Sequence, residues 1–308
     1  MTTANSQPAL PENTQHLMRL ATYASVSVAA VLIVAKLIAW GMSDSVSLLA
    51  TLLDSVLDAI ASLINLVAVR HALTPADREH RFGHGKAEAL AGLSQSMFIA
   101  GSAGFLLLEA GRKTLNPAVI EHAQSGIAVM LFSMAATLAL LLFQNYVIRK
   151  TQSTAIRADA LHYRSDLLIN GGVIVALWLS MSGWPQFDGP IACLIGLYIL
   201  FSAWQIIRIS LDQLMDRELP DETRAEIKQM VLQHPAALGM HDLRSRSAGR
   251  AVFIQLHLEL DDALSLVDAH NVCDEVEATL LSAFPDAEII IHVDPQSVVG
   301  EEPVAVFD

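Results

Sequence analysis

Runs of apolar residues long enough to cross a bilayer recur through the first two-thirds of the chain, with short polar links between them. They fall at about residues 22–42, 47–69, 89–110, 125–148 and 190–207. A hydrocarbon core of about 30 Å takes roughly 20 helical residues, so each run predicts one transmembrane helix. A stretch of different character, about residues 153–180, lies before the last run. Its first half carries Asp159, His162, Arg164, Asp166 and Asn170, and its second half is apolar. A hydropathy window alone undercalls it, yet its length and its apolar half predict a span, the fifth of six. In the third run Gly92, Gly101 and Gly104 are expected to permit close helix packing.

Two of these helices carry charge in a pattern that packing does not require. Asp54 and Asp58 lie four apart in the second run, and His162 and Asp166 lie four apart in the fifth. Residues at i and i+4 share a helix face. Ser62 and Asn65 prolong the polar face of the second helix, and Asn170 that of the fifth. Two such faces turned toward each other offer three carboxylates and one imidazole to one point, a tetrahedral donor set suited to Zn2+. Ionisable groups inside a bilayer are costly and read first as functional. The imidazole biases the set toward Zn2+ or Cd2+ over Mg2+, Ca2+ or Mn2+. Metal binding needs a neutral imidazole and ionised acids, so protons compete for the site. Lys36 in the first run is expected to snorkel or to pair within the bundle.

From about residue 211 the pattern changes to that of a soluble α/β domain. Residues 220–234 and 265–283 have helical spacing. Residues 238–246, 250–260 and 287–294 read as strands. In the middle strand Val252, Ile254, Leu256 and Leu258 alternate with Phe253, Gln255, His257 and Glu259. The order αββαβ predicts an open ferredoxin-like sheet covered by helices. The organisation is thus a polar N-terminal tail (1–18), a six-helix membrane domain (19–210), an α/β domain (211–295) and an acidic tail (296–308).

Charge sharpens the division. Up to Arg208 there are 13 Lys+Arg against 12 Asp+Glu, and beyond it 6 against 20. The acidic C-terminal part disfavours nucleic acid and favours cations. Basic residues gather in the links at 70–88 and 149–157 and after Arg208, which predicts both termini in the cytoplasm. Arg112 and Lys113 run against that trend. The N-terminus has no cationic start followed by an apolar stretch, so no cleavable signal is expected. Cys193 and Cys273 form no CxxC motif and are not expected to pair.

Further potential metal ligands lie outside the membrane helices. Asp77, His80 and His84 share one polar link, with Gly83 and Gly85 flanking His84. His241, His257, His270, His292 and Asp294 lie on four elements of the C-terminal domain that can converge on one sheet face or edge. No HExxH and no nucleophile–base pair argues for a hydrolase. A metal sensor leaves the charged residues at mid-membrane unexplained.

The combination of DxxxD (Asp54, Asp58), HRFGHGKAE (residues 80–88) and HxxxD (His162, Asp166) resembles the cation diffusion facilitators. The likeness extends from about Arg19 to Pro295 and is nearest the bacterial zinc and ferrous-iron efflux members. It implies a homodimer in the bacterial inner membrane that exports divalent cation in exchange for protons. It implies a transport site at Asp54, Asp58, His162 and Asp166, and a loop site at Asp77, His80 and His84. It further implies a binuclear site at His241, His257, His270, His292 and Asp294, and a charge pair of Lys86 with Asp216 that holds the subunits together. Zn2+ is the implied ion, transported and regulatory, with Cd2+ and Fe2+ as further cargo. Histidine at 162 matches the zinc and cadmium subtype; an iron or manganese exporter of the same fold is the nearest alternative.

Overall fold

The computed structural model describes residues 12–43, 46–115, 127–182, 187–249 and 251–299. The expected N-terminal tail up to residue 11, the turn at 44–45, the loop at 116–126 and the acidic tail from residue 300 lie outside these.

Six long helices form the first unit: α1 (Glu12–Ser43), α2 (Val46–Ala72), α3 (Lys86–Leu115), α4 (Ile127–Thr151), α5 (Thr154–Met181) and α6 (Asp188–Leu214). Among the described residues α1, α2, α3, α4 and α6 qualify as membrane spans by length and composition, and α5 does not. The ionisable residues in its first half are the reason. α1 begins at Glu12, ahead of its apolar run, so part of the expected polar tail is helical. Their large apolar side chains are often exposed, including Val34, Phe105, Leu142 and Phe201, as suits helices surrounded by lipid.

α5 occupies the middle of this unit. Ala158 and Leu161 pack with Ile99 and Ala103 of α3 and with Ile199, Ala203 and Ile206 of α6. Ala160 and Tyr163 pack instead with Leu140 and Leu141 of α4. A side chain at Gly92 would meet Thr154 and Ser210, so this glycine does allow close approach to α5 and α6. Within this chain nothing approaches Gly101 or Gly104 closely. Lys36 donates to Ser55 Oγ at 2.7 Å, a pairing within the bundle.

The second unit holds α7 (Asp221–Leu232), β1 (Gly239–Ala248), β2 (Ala251–Leu260), α8 (Leu266–Ala283) and β3 (Ala287–Pro295). The sheet order is β1-β2-β3. β1 runs antiparallel to β2, and β2 parallel to β3 through α8, the connection that parallel neighbours need. Ile254, Leu256 and Leu258 of β2 are buried against Ile227 and Val231 of α7 and Val276 and Leu280 of α8. Ser265 caps α8, its side chain accepting from the N–H of Asp268. The domain is of the expected ferredoxin-like α/β type.

The opposite sheet face is less open than strict alternation predicts. Phe253 lies there, yet only 4% of it is exposed. The segment 75–85 clusters with this unit. Its Phe82 meets Phe253 edge-on, with ring centroids 5.8 Å apart. Arg246 of β1 stacks over both rings. The polar link before α3 therefore covers one end of the sheet.

Candidate metal centres

α2 and α5 bring the first group together. His162 Nε2 lies 2.9 Å from Asp58 Oδ1 and 3.8 Å from Asp166 Oδ2. One donor atom from each of these three residues falls within 4.8 Å of the other two. His162 is buried, while the two acids are partly exposed. Asp54 lies on α2 one turn before Asp58, but its side chain is outside the described ones. The next residue along α5 fixes the helix register. Tyr163 Oη pairs with Ser62 Oγ of α2 at 2.8 Å and donates to the Ser25 carbonyl of α1 at 3.3 Å. A cavity lined by Ile99, Ser102 and Ala103 of α3 and Ile199 of α6 adjoins His162 and Asp166. A single imidazole nitrogen between two carboxylates can carry a proton or serve a divalent ion, but not both.

The second group is built by one tight turn. Asp77 Oδ1 accepts from the N–H groups of Glu79 (2.9 Å) and His80 (2.6 Å). These bonds, that to His80 foremost, hold the Asp77 carboxyl below the usual carboxylate range. Gly83 takes φ +74°, which a glycine adopts without strain. The turn sets His80 Nδ1 and His84 Nε2 each 3.5 Å from Asp77, and the two rings 4.6 Å apart.

The third group follows from strand register. His241, His257 and His292 stand side by side across β1, β2 and β3, and Glu259 stands beside Asp294. Asp294 sits among the three rings. Its carboxylate lies 2.6 Å from His257 Nδ1, 3.5 Å from His241 Nε2 and 3.3 Å from His292 Nε2. Two further acids, outside the expected ligand set, border the cluster. Glu259 Oε1 is 2.9 Å from His241 Nδ1. Asp242 Oδ2 is 3.8 Å from His257 Nε2. Glu259 shares its strand face with His257, a signal the alternation already held. Asp242 arrives by a β-bulge between His241 and Arg244, with φ +44°, and a bulge leaves no sequence signature here. Arg244 holds the Asp242 carboxyl below its ordinary range.

His270 stands apart from this cluster. It is exposed on α8 beside Asp274, at 3.7 Å. α8 covers the core face of the sheet, and the other histidines occupy the opposite face. Lys86 is the first residue of α3. Asp216, at φ +56°, accepts from Arg246 Nη1 at 3.1 Å.

A polytopic helical domain with an intramembrane acid–imidazole set, joined to a small α/β domain with its own histidine cluster, defines a membrane protein that handles metal cations. Residues 22–215 match the family description "Cation efflux transmembrane domain", and residues 219–296 match "Cation efflux protein, cytoplasmic domain". The chain belongs to the cation diffusion facilitator family. It is 49% identical over 292 residues to the cation-efflux pump FieF of Klebsiella pneumoniae, covering 95% of this chain and 97% of that one. It is 50% identical over 289 residues to the FieF pump of Pectobacterium carotovorum, covering 93% and 96%. A solved cytosolic domain of a cation diffusion facilitator family protein is 27% identical, covering 25% of this chain and 92% of that one, with a TM-score of 0.24.

Proposed function

We propose that this protein is a proton-coupled antiporter that exports Zn2+ from the cytoplasm, with Cd2+ and Fe2+ as further cargo. The observation that carries the reading is the placement of His162 Nε2 between Asp58 and Asp166 on facing helices. Asp54, one turn away on α2, supplies the fourth donor. Four protein donors leave no open position for a reacting water, which favours transport over catalysis. The efflux pumps to which the chain is similar support the same direction.

In the inward-facing state Zn2+ displaces the proton shared by His162 and its acids. The bundle then rocks and opens the site outward. Protons entering from outside reprotonate His162 and the carboxylates and release the ion. Residues 19–210 act as the transport domain, and residues 211–295 as a metal-responsive cytoplasmic domain. Asp77, His80 and His84 form a loop site. His241, His257, His292 and Asp294 form the larger cytoplasmic site, and His270, on the other side of the sheet, stays outside it within one chain. The working unit is a homodimer in the bacterial inner membrane with both termini cytoplasmic, its subunits tied by Lys86 and Asp216.

Zinc flux into proteoliposomes, measured with and without an imposed pH gradient, tests the reading. Flux in the wild type should follow the gradient and fall to background in Asp58→Ala. Gradient-independent flux, or full flux in that variant, excludes it.

A further inference from the structure

We propose that Asp159 is a second proton-binding carboxyl of the membrane domain, which takes up a proton when the neighbouring metal group empties and gives it back when that group fills. The inference rests on the proton-coupled reading above.

Asp159 is 1% exposed and is reached from three helices. Ser25 Oγ of α1 and Gln144 Nε2 of α4 lie 2.6 and 2.7 Å from its Oδ2, and Gln95 Nε2 of α3 lies 3.3 Å from its Oδ1. All three partners are neutral. Among the described residues no lysine, arginine or histidine forms an ion pair with it. A buried carboxyl with no paired cation is costly to ionise, which brings its protonated form within reach.

The network also accommodates either protonation state. Ser25 Oγ has two acceptors within reach, Asp159 Oδ2 at 2.6 Å and the Ala21 carbonyl at 3.1 Å. With Asp159 ionised, the Ser25 hydroxyl donates to it. With Asp159 protonated, the acid O–H donates to Ser25 Oγ and the Ser25 proton turns to Ala21. Gln144 is fully buried, and its Oε1 finds no donor.

The coupling to metal is electrostatic. Asp159 precedes His162 by three residues, on a shared side of α5. A divalent ion at His162 favours the ionised form of Asp159; when it leaves and fewer than two protons replace it on His162 and its acids, the group becomes more negative and the protonated form of Asp159 is favoured. The titratable groups around Asp159 are few. His162 and Tyr163 lie on its own helix, and α2 brings Asp58, held on His162. α3 brings Glu88, whose Oε1 accepts from the Ala155 N–H at the start of α5. The groups that touch Asp159 from α1, α3 and α4 are the serine and the two glutamines.

The test uses the purified full-length chain in detergent. Protons released per bound zinc are counted by calorimetry in buffers of different ionisation heat. Asp159→Asn should keep zinc affinity within a few-fold and release fewer protons per zinc. Infrared difference spectra of the wild type should show a protonated-carboxyl band lost on zinc addition. That band should be shifted in Ser25→Ala, so the test stands even if Asp159→Asn does not fold. An unchanged proton count with zinc binding intact, or no such band, overturns the inference alone. A wild-type chain that binds no zinc overturns the transport reading as well.

Discussion

In the proposed transport reading, the identity of one ring sets which ion the site favours. Among the described residues His162 is the sole nitrogen donor in the group that α2 and α5 bring together. His162→Asp leaves an all-oxygen set, which suits harder cations. The ratio of Zn2+ to Mn2+ affinity should fall by about tenfold or more, a change of about 1.4 kcal/mol or larger. Competition binding in detergent measures it, and an unchanged ratio removes the imidazole from the selectivity argument. A second residue carries a pH prediction. Burial, with Asp274 and Glu277 nearby, raises the Cys273 thiol above the ordinary range. The thiolate is the reactive form. Alkylation of Cys273 should therefore be slow at neutral pH and should accelerate only above the pH at which a free thiol does. Peptide mass spectrometry after timed labelling reads this, and a full rate at neutral pH contradicts it.

At the scale of elements, local periodicity made some features legible and long-range contact determined others. The i,i+4 spacing of His162 and Asp166 placed both on one face of α5, and the structure joins them to Asp58. Alternation in β2 placed His257 and Glu259 on one face, but the row with His241 and His292 depends on register between strands, which no single strand encodes. The bulge at Asp242 and the cover over Phe253 were equally out of reach, because each needs a partner distant in sequence. Gly85 marks that cover. A Cβ there would stand 2.2 Å from the Ala248 carbonyl oxygen, a backbone atom with little freedom to yield. Gly85→Ala should cost about 1–3 kcal/mol, as overpacking does, and should loosen segment 75–85 from the strand edge. Hydrogen exchange at residues 80–85 and 246–249 should rise together in the full-length protein. Exchange unchanged at both segments rejects the contact.

At the scale of the whole molecule, the two units have separate cores. The clusters around α5 draw only on helices α3, α4, α5 and α6, with Ala24 and Val28 of α1 packed against them. The cluster around Ile254 draws only on residues beyond 218. A chain ended after Met215 should therefore insert and keep zinc at Asp58, His162 and Asp166. It should lose the ions that His241, His257, His292 and Asp294 would hold, lowering the zinc bound per chain. The segment 75–85 should respond differently, because it belongs with the unit that is removed. Without Phe253 and Arg246, Phe82 has no ring beneath it and no guanidinium above it. The turn around Asp77 then stands on its own hydrogen bonds, and local opening becomes easier. Trypsin, which cuts after Arg78 and Arg81, should cleave the shortened chain on the order of tenfold faster than the full-length protein at equal folding of the helices. Equal cleavage would mean that the turn is held by its own bonds alone. The sheet would then contribute nothing to the order of the loop that carries His80 and His84.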